Sequence, residues 1–276
     1  MGAPIFKWKD FCKHHKVTVL SSNYPLYGDM STRVMTILEQ FSPNVEVYSI
    51  DEAFIDLTGL DHHNFSDYGT SIRNRILKWT GIPTCVGIAP TKALCKVANK
   101  IARKFPKETG GVYVIDSEEK RLKALKWTAI KNVWGIGRRL EKRLIVKGCK
   151  TAFDFTQLSD DWVRLNFSIT EWKLKKDLEG IPTIEFEIKQ TKRSIATTRS
   201  FEQTYSDIEN ITERISTFAA CCAEKLRAQK TSCHMIIVLL SSDRHKRDVA
   251  QHNASKTIVF PYPTDSTLSI TKASVE

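Results

Sequence analysis

A chain that places two neighbouring carboxylates inside an apolar, strand-prone stretch has few ways to fold. In VEVYSIDEAFIDLTGL (residues 45–60) the β-branched and aromatic residues predict two short strands, with Asp51 and Glu52 where they meet. Successive side chains of a straight strand point to opposite faces, which would separate the two acids. A tight turn at the pair lets both converge on one ion, and Asp56 is near enough in sequence to join or support them. Burying two such charges without a compensating cation would be costly. Hard oxygen donors with no His or Cys beside them suit Mg2+ rather than zinc. The competing reading is a polar β-turn with solvated acids, and the dipeptide alone favours it. The pairs His14-His15 and His62-His63 lack zinc-finger spacing to any Cys and read as surface residues.

Elements of both kinds surround this stretch. Met30, Val34, Ile37, Leu38 and Phe41 recur at helical spacing, which predicts an amphipathic helix over 29–40, stopped by Ser42-Pro43. Helices are also predicted over 66–79 and 90–103, and strands over 84–88 and 112–115. The order α-β-β-α-β-α-β describes an α/β or α+β sheet domain. Residues 117–180 read as all-helical, with breaks at Gly135-Ile136-Gly137, Gly148 and Ser159. Residues 181–191, with Pro182 and no clear period, read as a linker. A third unit follows, with a strand near 193–201, a helix over 206–229, strands over 233–240 and 256–260, and a final segment that opens another helix.

The chain has 276 residues and a formal charge of +11. Residues 92–150 hold 17 Lys+Arg against 5 Asp+Glu, so this segment carries the whole surplus. Charge runs usually coat a solvated helix face, but a surplus confined to one segment favours a polyanion-binding surface. In VGIAPTKALCKVANK a strand turns into a helix with Ala93, Leu94, Val97, Ala98, Ile101 and Ala102 on its apolar side. Lys92, Lys96, Lys100, Arg103 and Lys107 form a basic stripe on the other side. A helix N-terminus with lysines suits a triphosphate or backbone phosphate, although the glycines of a Gly-rich phosphate loop are absent. In VWGIGRRLEKRL a Gly-x-Gly turn follows Trp134 and opens a basic helix, much like a helix-hairpin-helix element that grips nucleic-acid phosphate through backbone N–H groups. An ordinary αα turn accounts for the glycines equally well; Arg138, Arg139, Lys142 and Arg143 tip the balance towards phosphate.

Composition removes other classes. With 41% hydrophobic and 26% charged residues, the chain is neither disordered nor fibrous. The longest apolar run, 235–240, falls far short of the ~20 residues a membrane span needs. The N-terminal residues have no signal-peptide apolar core. Seven scattered cysteines, an odd number, read as reduced thiols. The expectation is a soluble, cytoplasmic protein with a polyanion partner and no membrane partner.

In this order and spacing, SSNYPLYGDMSTRVM, YSIDEAFIDLTG, VGIAPTKALCKVANK and VWGIGRR resemble the UmuC-type Y-family translesion DNA polymerases. RSFEQTYSD and the stretch 220–229 carry the resemblance towards the end of the chain, and SIDEAF is its most specific block. The resemblance implies an α+β fold that is a partial right-hand polymerase. Its parts would be a partial palm sheet with helices over 1–116, a helical thumb with a helix-hairpin-helix turn over 117–180, the linker 181–191, and an incomplete little-finger domain over 192–276. The implied activity is Mg2+-dependent nucleotidyl transfer, that is, error-prone translesion DNA synthesis in DNA repair and the SOS response. Implied partners are primer–template and damaged DNA, dNTP, a UmuD-type regulatory subunit and the sliding clamp. Residue by residue, the resemblance makes Asp51 and Glu52 catalytic metal ligands and either Arg103 or Lys104 the contact to the incoming triphosphate. It makes Gly135, Gly137, Arg138 and Arg139 the thumb turn on the DNA backbone, and Arg193 a DNA contact on the first little-finger strand.

The family's first motif, an Asp followed by aromatics on the opening palm strand, is expected upstream of Met1. So are the residue that excludes ribonucleotides and the fingers contacts to the triphosphate. A further helix and strand are expected after Val275. The chain therefore reads as an internal piece of such a polymerase, catalytically inactive and with an exposed palm-sheet edge. The alternative function is a DNA-binding remnant without catalysis. A palm-fold nucleotide cyclase could also use an acidic hairpin, but it has no need of the basic thumb.

Overall fold

The computed structural model describes residues 4–60, 64–187, 191–201, 203–242 and 250–276. The chain divides into two compact units, Met1–Ile188 and Lys189–Glu276. The His62-His63 pair lies outside the described residues, whereas His14 and His15 are exposed.

The first unit opens with a 3-10 turn (Ile5–Lys7), α1 (Lys9–His14) and α2 (Tyr24–Leu38). α2 starts five residues before its apolar period suggests. Asn23 caps it by accepting from Leu26 N at 3.2 Å, and Pro25 fits the first turn, where no N–H is needed. β1 (Val45–Val47) and β2 (Ala53–Ile55) follow as an antiparallel pair, with Val45 opposite Ile55 and Val47 opposite Ala53. Next come α3 (Phe65–Thr80), β3 (Val86–Ile88), α4 (Lys92–Lys104), α5 (Pro106–Thr109) and β4 (Val112–Val114). β3 and β4 run parallel, so α4 is their crossover. β1–β2 and β3–β4 are separate two-stranded ladders among the described residues.

α4 sits closer to the backbone of β3 than a side chain would allow. A Cβ built on Gly87 would lie 2.1 Å from Asn99 N and 2.5 Å from Cys95 O. Asn99 Nδ2 donates to Cys85 O at 2.7 Å and fastens the same contact. All six residues assigned to the apolar side of this helix are buried. Ala93, Leu94, Val97, Ala98 and Ile101 share one core with residues of the helices that follow, including Leu125, Leu144, Phe155, Leu174 and Leu178. Those helices are α6 (Glu118–Trp127), α7 (Arg138–Val146), α8 (Ala152–Thr156), α9 (Asp160–Asn166) and α10 (Ile169–Leu178), with a 3-10 turn (Ile130–Asn132) before α7. Capping boxes, Thr151 with Asp154 and Ser168 with Glu171, define the starts of α8 and α10.

The stretch read as a linker is pinned over its first part. Asp177, fully buried, accepts from Thr183 N (2.8 Å) and Ile184 N (3.1 Å), and Glu46 on β1 accepts from Glu187 N (2.8 Å). Lys92 Nζ bonds Glu185 O at 2.6 Å and forms an ion pair with Glu46. Lys92 is thereby buried, not part of a solvent-facing basic stripe, because Glu46, Phe54 and Phe186 enclose its ammonium.

The second unit contains α11 (Ile208–Ala228), β5 (Cys233–Ser241), β6 (Asn253–Thr264) and α12 (Thr267–Val275). β5 and β6 are antiparallel, and Ile236 and Phe260 pack with Ala219, Ala223, Leu226 and Ile270. The strand expected near 193–201 is not formed. Polar side chains at the C-terminal end of α11 and at its cap take up this segment instead. Lys225 Nζ bonds Ala196 O (3.0 Å) and Thr197 Oγ1 (2.9 Å), and Gln229 Nε2 bonds Lys192 O (2.9 Å).

Candidate functional site

The acidic pair lies on the loop between β1 and β2. Tyr48 N and Ser49 N both donate to Glu52 O at 3.0 Å, which closes the turn the sequence calls for. Asp51 is exposed and accepts from Ser49 Oγ at 2.7 Å. Glu52 reaches α4 and pairs with Lys96 Nζ at 2.6 Å. Asp56 does not join them. Thr58 engages its Oδ1 through the hydroxyl (2.6 Å) and the amide (3.0 Å), and these bonds hold the Asp56 carboxyl below the usual carboxylate range. Among the described residues no group of three or more His, Cys, Asp or Glu is arranged to hold a metal ion. Asp51 and Glu52 are nonetheless two hard oxygen donors on one exposed loop. That donor set would suit Mg2+, a hard cation that takes oxygen ligands.

Lys96, Lys100 and Arg103 continue along α4 from this loop, and seven residues of helix separate the ends by about 10 Å. Lys100, Arg103 and Lys104 line an open cleft of about 310 Å3 with Trp127 and Asn132. Burial, then the charges of Arg103 and Lys131, push the Lys100 ammonium below its ordinary pKa. An anion in the cleft would relieve that crowding. The N-terminus of α4 offers no such place. Ala93 N donates to Asp177 Oδ2 at 3.3 Å, and Thr91 caps the helix, so a buried protein carboxylate stands where a phosphate was expected.

The Gly-x-Gly turn links the 3-10 turn to α7. Gly135 has φ +84°, open to glycine, and lets Val133 and Ile136 both enter the core around it. Gly135, Gly137, Arg138 and Arg139 are exposed, at the N-terminal end of α7. Arg193, in the second unit, is exposed and outside any strand.

Residues 1–100 match the impB/mucB/samB family, and residues 192–276 match the C-terminal domain of the same family. The chain belongs to that family. It is 36% identical over 277 residues to Protein UmuC of Salmonella typhimurium strain LT2, covering 100% of this chain and 66% of the relative. Protein ImpB of Salmonella typhimurium is 34% identical, with 99% and 65% covered. The chain thus spans about two thirds of the length of these curated relatives. A Y-family DNA polymerase chimera of Dbh and Dpo4 superposes with a TM-score of 0.77 at 21% identity, covering 99% of this chain and 75% of that one. An insertion ternary complex of Dbh DNA polymerase gives 0.57 at 22%, with 99% and 75% covered. The fold is the α+β fold of the Y-family polymerases.

Three residues beside the acidic pair escaped the sequence reading. Tyr48, Phe54 and Trp134 surround Lys96, and Trp134 Nε1 donates to Tyr48 OH at 2.9 Å across 86 residues of chain. The aromatic residues flanking the acids and the Gly turn were visible, but no periodicity links segments so far apart.

Proposed function

We propose that this chain is the palm, thumb and little-finger portion of an error-prone translesion DNA polymerase, with residues 1–116, 117–180 and 192–276 as those parts. In this reading the exposed face of α7 holds primer–template DNA. The backbone N–H groups at Gly135 and Gly137 and the guanidinium groups of Arg138 and Arg139 meet backbone phosphate without reading sequence. Arg193 adds a phosphate contact from the second unit. Asp51 and Glu52 would hold Mg2+, which when bound supplies charge neutralisation for the attacking hydroxyl and the leaving pyrophosphate. Arg103, with Lys100 and Lys104 beside it, orients the triphosphate of the incoming dNTP. The observation that carries the reading is the line from Asp51 and Glu52 along the basic residues of α4, from carboxylate pair to cationic cleft.

One observation favours the second reading, a DNA-binding module without catalysis: Asp56 is tied to Thr58, and no third acid joins the pair among the described residues. The deciding experiment measures DNA binding by fluorescence anisotropy and primer extension in Mg2+ on the same protein. Salt-sensitive binding with extension that Asp51→Ala abolishes supports the polymerase reading, and binding without extension supports the module. Absence of salt-sensitive binding overturns both.

A further inference from the structure

Lys96 differs from the other basic residues of α4. Its ammonium lies 4.4 Å from the ring centre of Tyr48, 5.4 Å from Phe54 and 5.8 Å from Trp134. The three rings also pack on one another, with centres 5.5 to 5.9 Å apart. Ring faces attract a cation, and the Trp134–Tyr48 hydrogen bond fixes two of them. In the ion pair the Lys96 side chain is 17% exposed and the Glu52 side chain 48%. The ammonium is therefore the held partner, and the carboxylate is the half that faces water.

We propose that Lys96 is a positioning residue that keeps the place of the divalent cation at Glu52. Its ammonium neutralises the acidic pair, aims the Glu52 carboxylate, and must give up Oε2 before a metal ion takes it. The aromatic box makes that exchange local, because an ammonium displaced from Glu52 remains held by three ring faces. The proposal rests on the reading of Asp51 and Glu52 as metal ligands.

The test titrates the full chain with Mn2+ and follows free Mn2+ by electron paramagnetic resonance, with circular dichroism reporting the fold of each variant. Lys96→Met is expected to tighten Mn2+ binding about threefold, the scale of a partly exposed ion pair. Lys96→Arg, which keeps the competing charge, is expected to return the affinity to the wild-type value. In a Glu52→Gln background, Lys96→Met is expected to change nothing. Unchanged or weaker Mn2+ binding in Lys96→Met overturns the proposal, and Lys96→Gln is the second variant if the Met variant fails to fold. Should Asp51→Asn and Glu52→Gln bind Mn2+ as the wild type does, the metal-ligand reading falls and the proposal with it. Should those two lose Mn2+ while Lys96→Met leaves it unaltered, only the role of Lys96 falls.

Discussion

Replacing Lys92 with Met removes one charge from an ion pair in which Lys92 is 5% and Glu46 7% exposed. The variant takes the ammonium from between Phe54 and Phe186 and, among the described residues, leaves the Glu46 carboxylate with the Glu187 amide as its donor. Breaking a buried pair from one side costs about 3–5 kcal/mol, and the surviving amide bond places this case near the lower end. In a unit the size of Met1–Ile188, about 3 kcal/mol lowers the melting temperature by roughly 6–12 °C. Thermal unfolding of the full chain, followed by circular dichroism and by urea titration, measures the shift. Glu46→Leu alone strands the ammonium and is expected to cost a similar amount. The double variant buries no charge; besides the ring contacts of the ammonium it loses the partners of Glu185 O and Glu187 N, about 2 kcal/mol for the two. The double variant therefore falls well short of the sum of the single ones. A shift below about 2 °C for Lys92→Met, or additive single effects, would refute the reasoning.

Changing Arg138 and Arg139 to Ala together is expected to weaken duplex binding across all sequences and to flatten the slope of log affinity against log salt by about 2; an unchanged slope removes these residues from the DNA contact. Lys175 first and Lys176 second hold the Asp160 carboxyl below its ordinary range. A depressed folded-state value contributes stability that is fully present above the unfolded value near 3.8 and is lost as pH falls through the folded one. The melting-temperature gap between wild type and Asp160→Asn should thus be open at pH 7 and close as pH drops below about 4; a gap that stays constant contradicts the pairing. Gly87→Ala meets backbone atoms of Asn99 and Cys95 that no rotamer change can move, so a loss of about 3 kcal/mol or more is expected in urea unfolding. A near-neutral result would mean that β3 and α4 are not so closely packed.

The legible parts of the fold were those governed by short-range rules. The apolar face of α4 follows from helical period, and every residue assigned to it is buried. The turn at Asp51 and Glu52 follows from two acids that a straight strand cannot carry together. The same period placed Lys92 in solvent, because a stripe cannot reveal that Glu46, 46 residues upstream, waits across the gap. The N-terminus of α4 looked open to phosphate for the same reason, its acceptor Asp177 being 84 residues downstream. The β-prone residues of 193–201 were legible as such, but the long polar side chains of α11 that bind this backbone were not. Helical period makes Lys96 one more charge of the basic stripe, whereas its setting depends on rings from two distant segments.

Asp177 also orders the chain in time. Its carboxylate binds Ala93 N from far upstream and Thr183 N and Ile184 N from just downstream, while its carbonyl accepts from Thr91 Oγ1 across 86 residues. During synthesis α4 can coil as soon as it emerges, yet its first turn lacks this acceptor until α10 has been made. At ordinary elongation rates the wait over 84 residues is about 4–17 s, long against the microseconds in which a helix forms. α4 therefore spends its early life as a basic, half-finished helix, and the arrival of a single aspartate completes its first turn and fastens residues 183 and 184 as well.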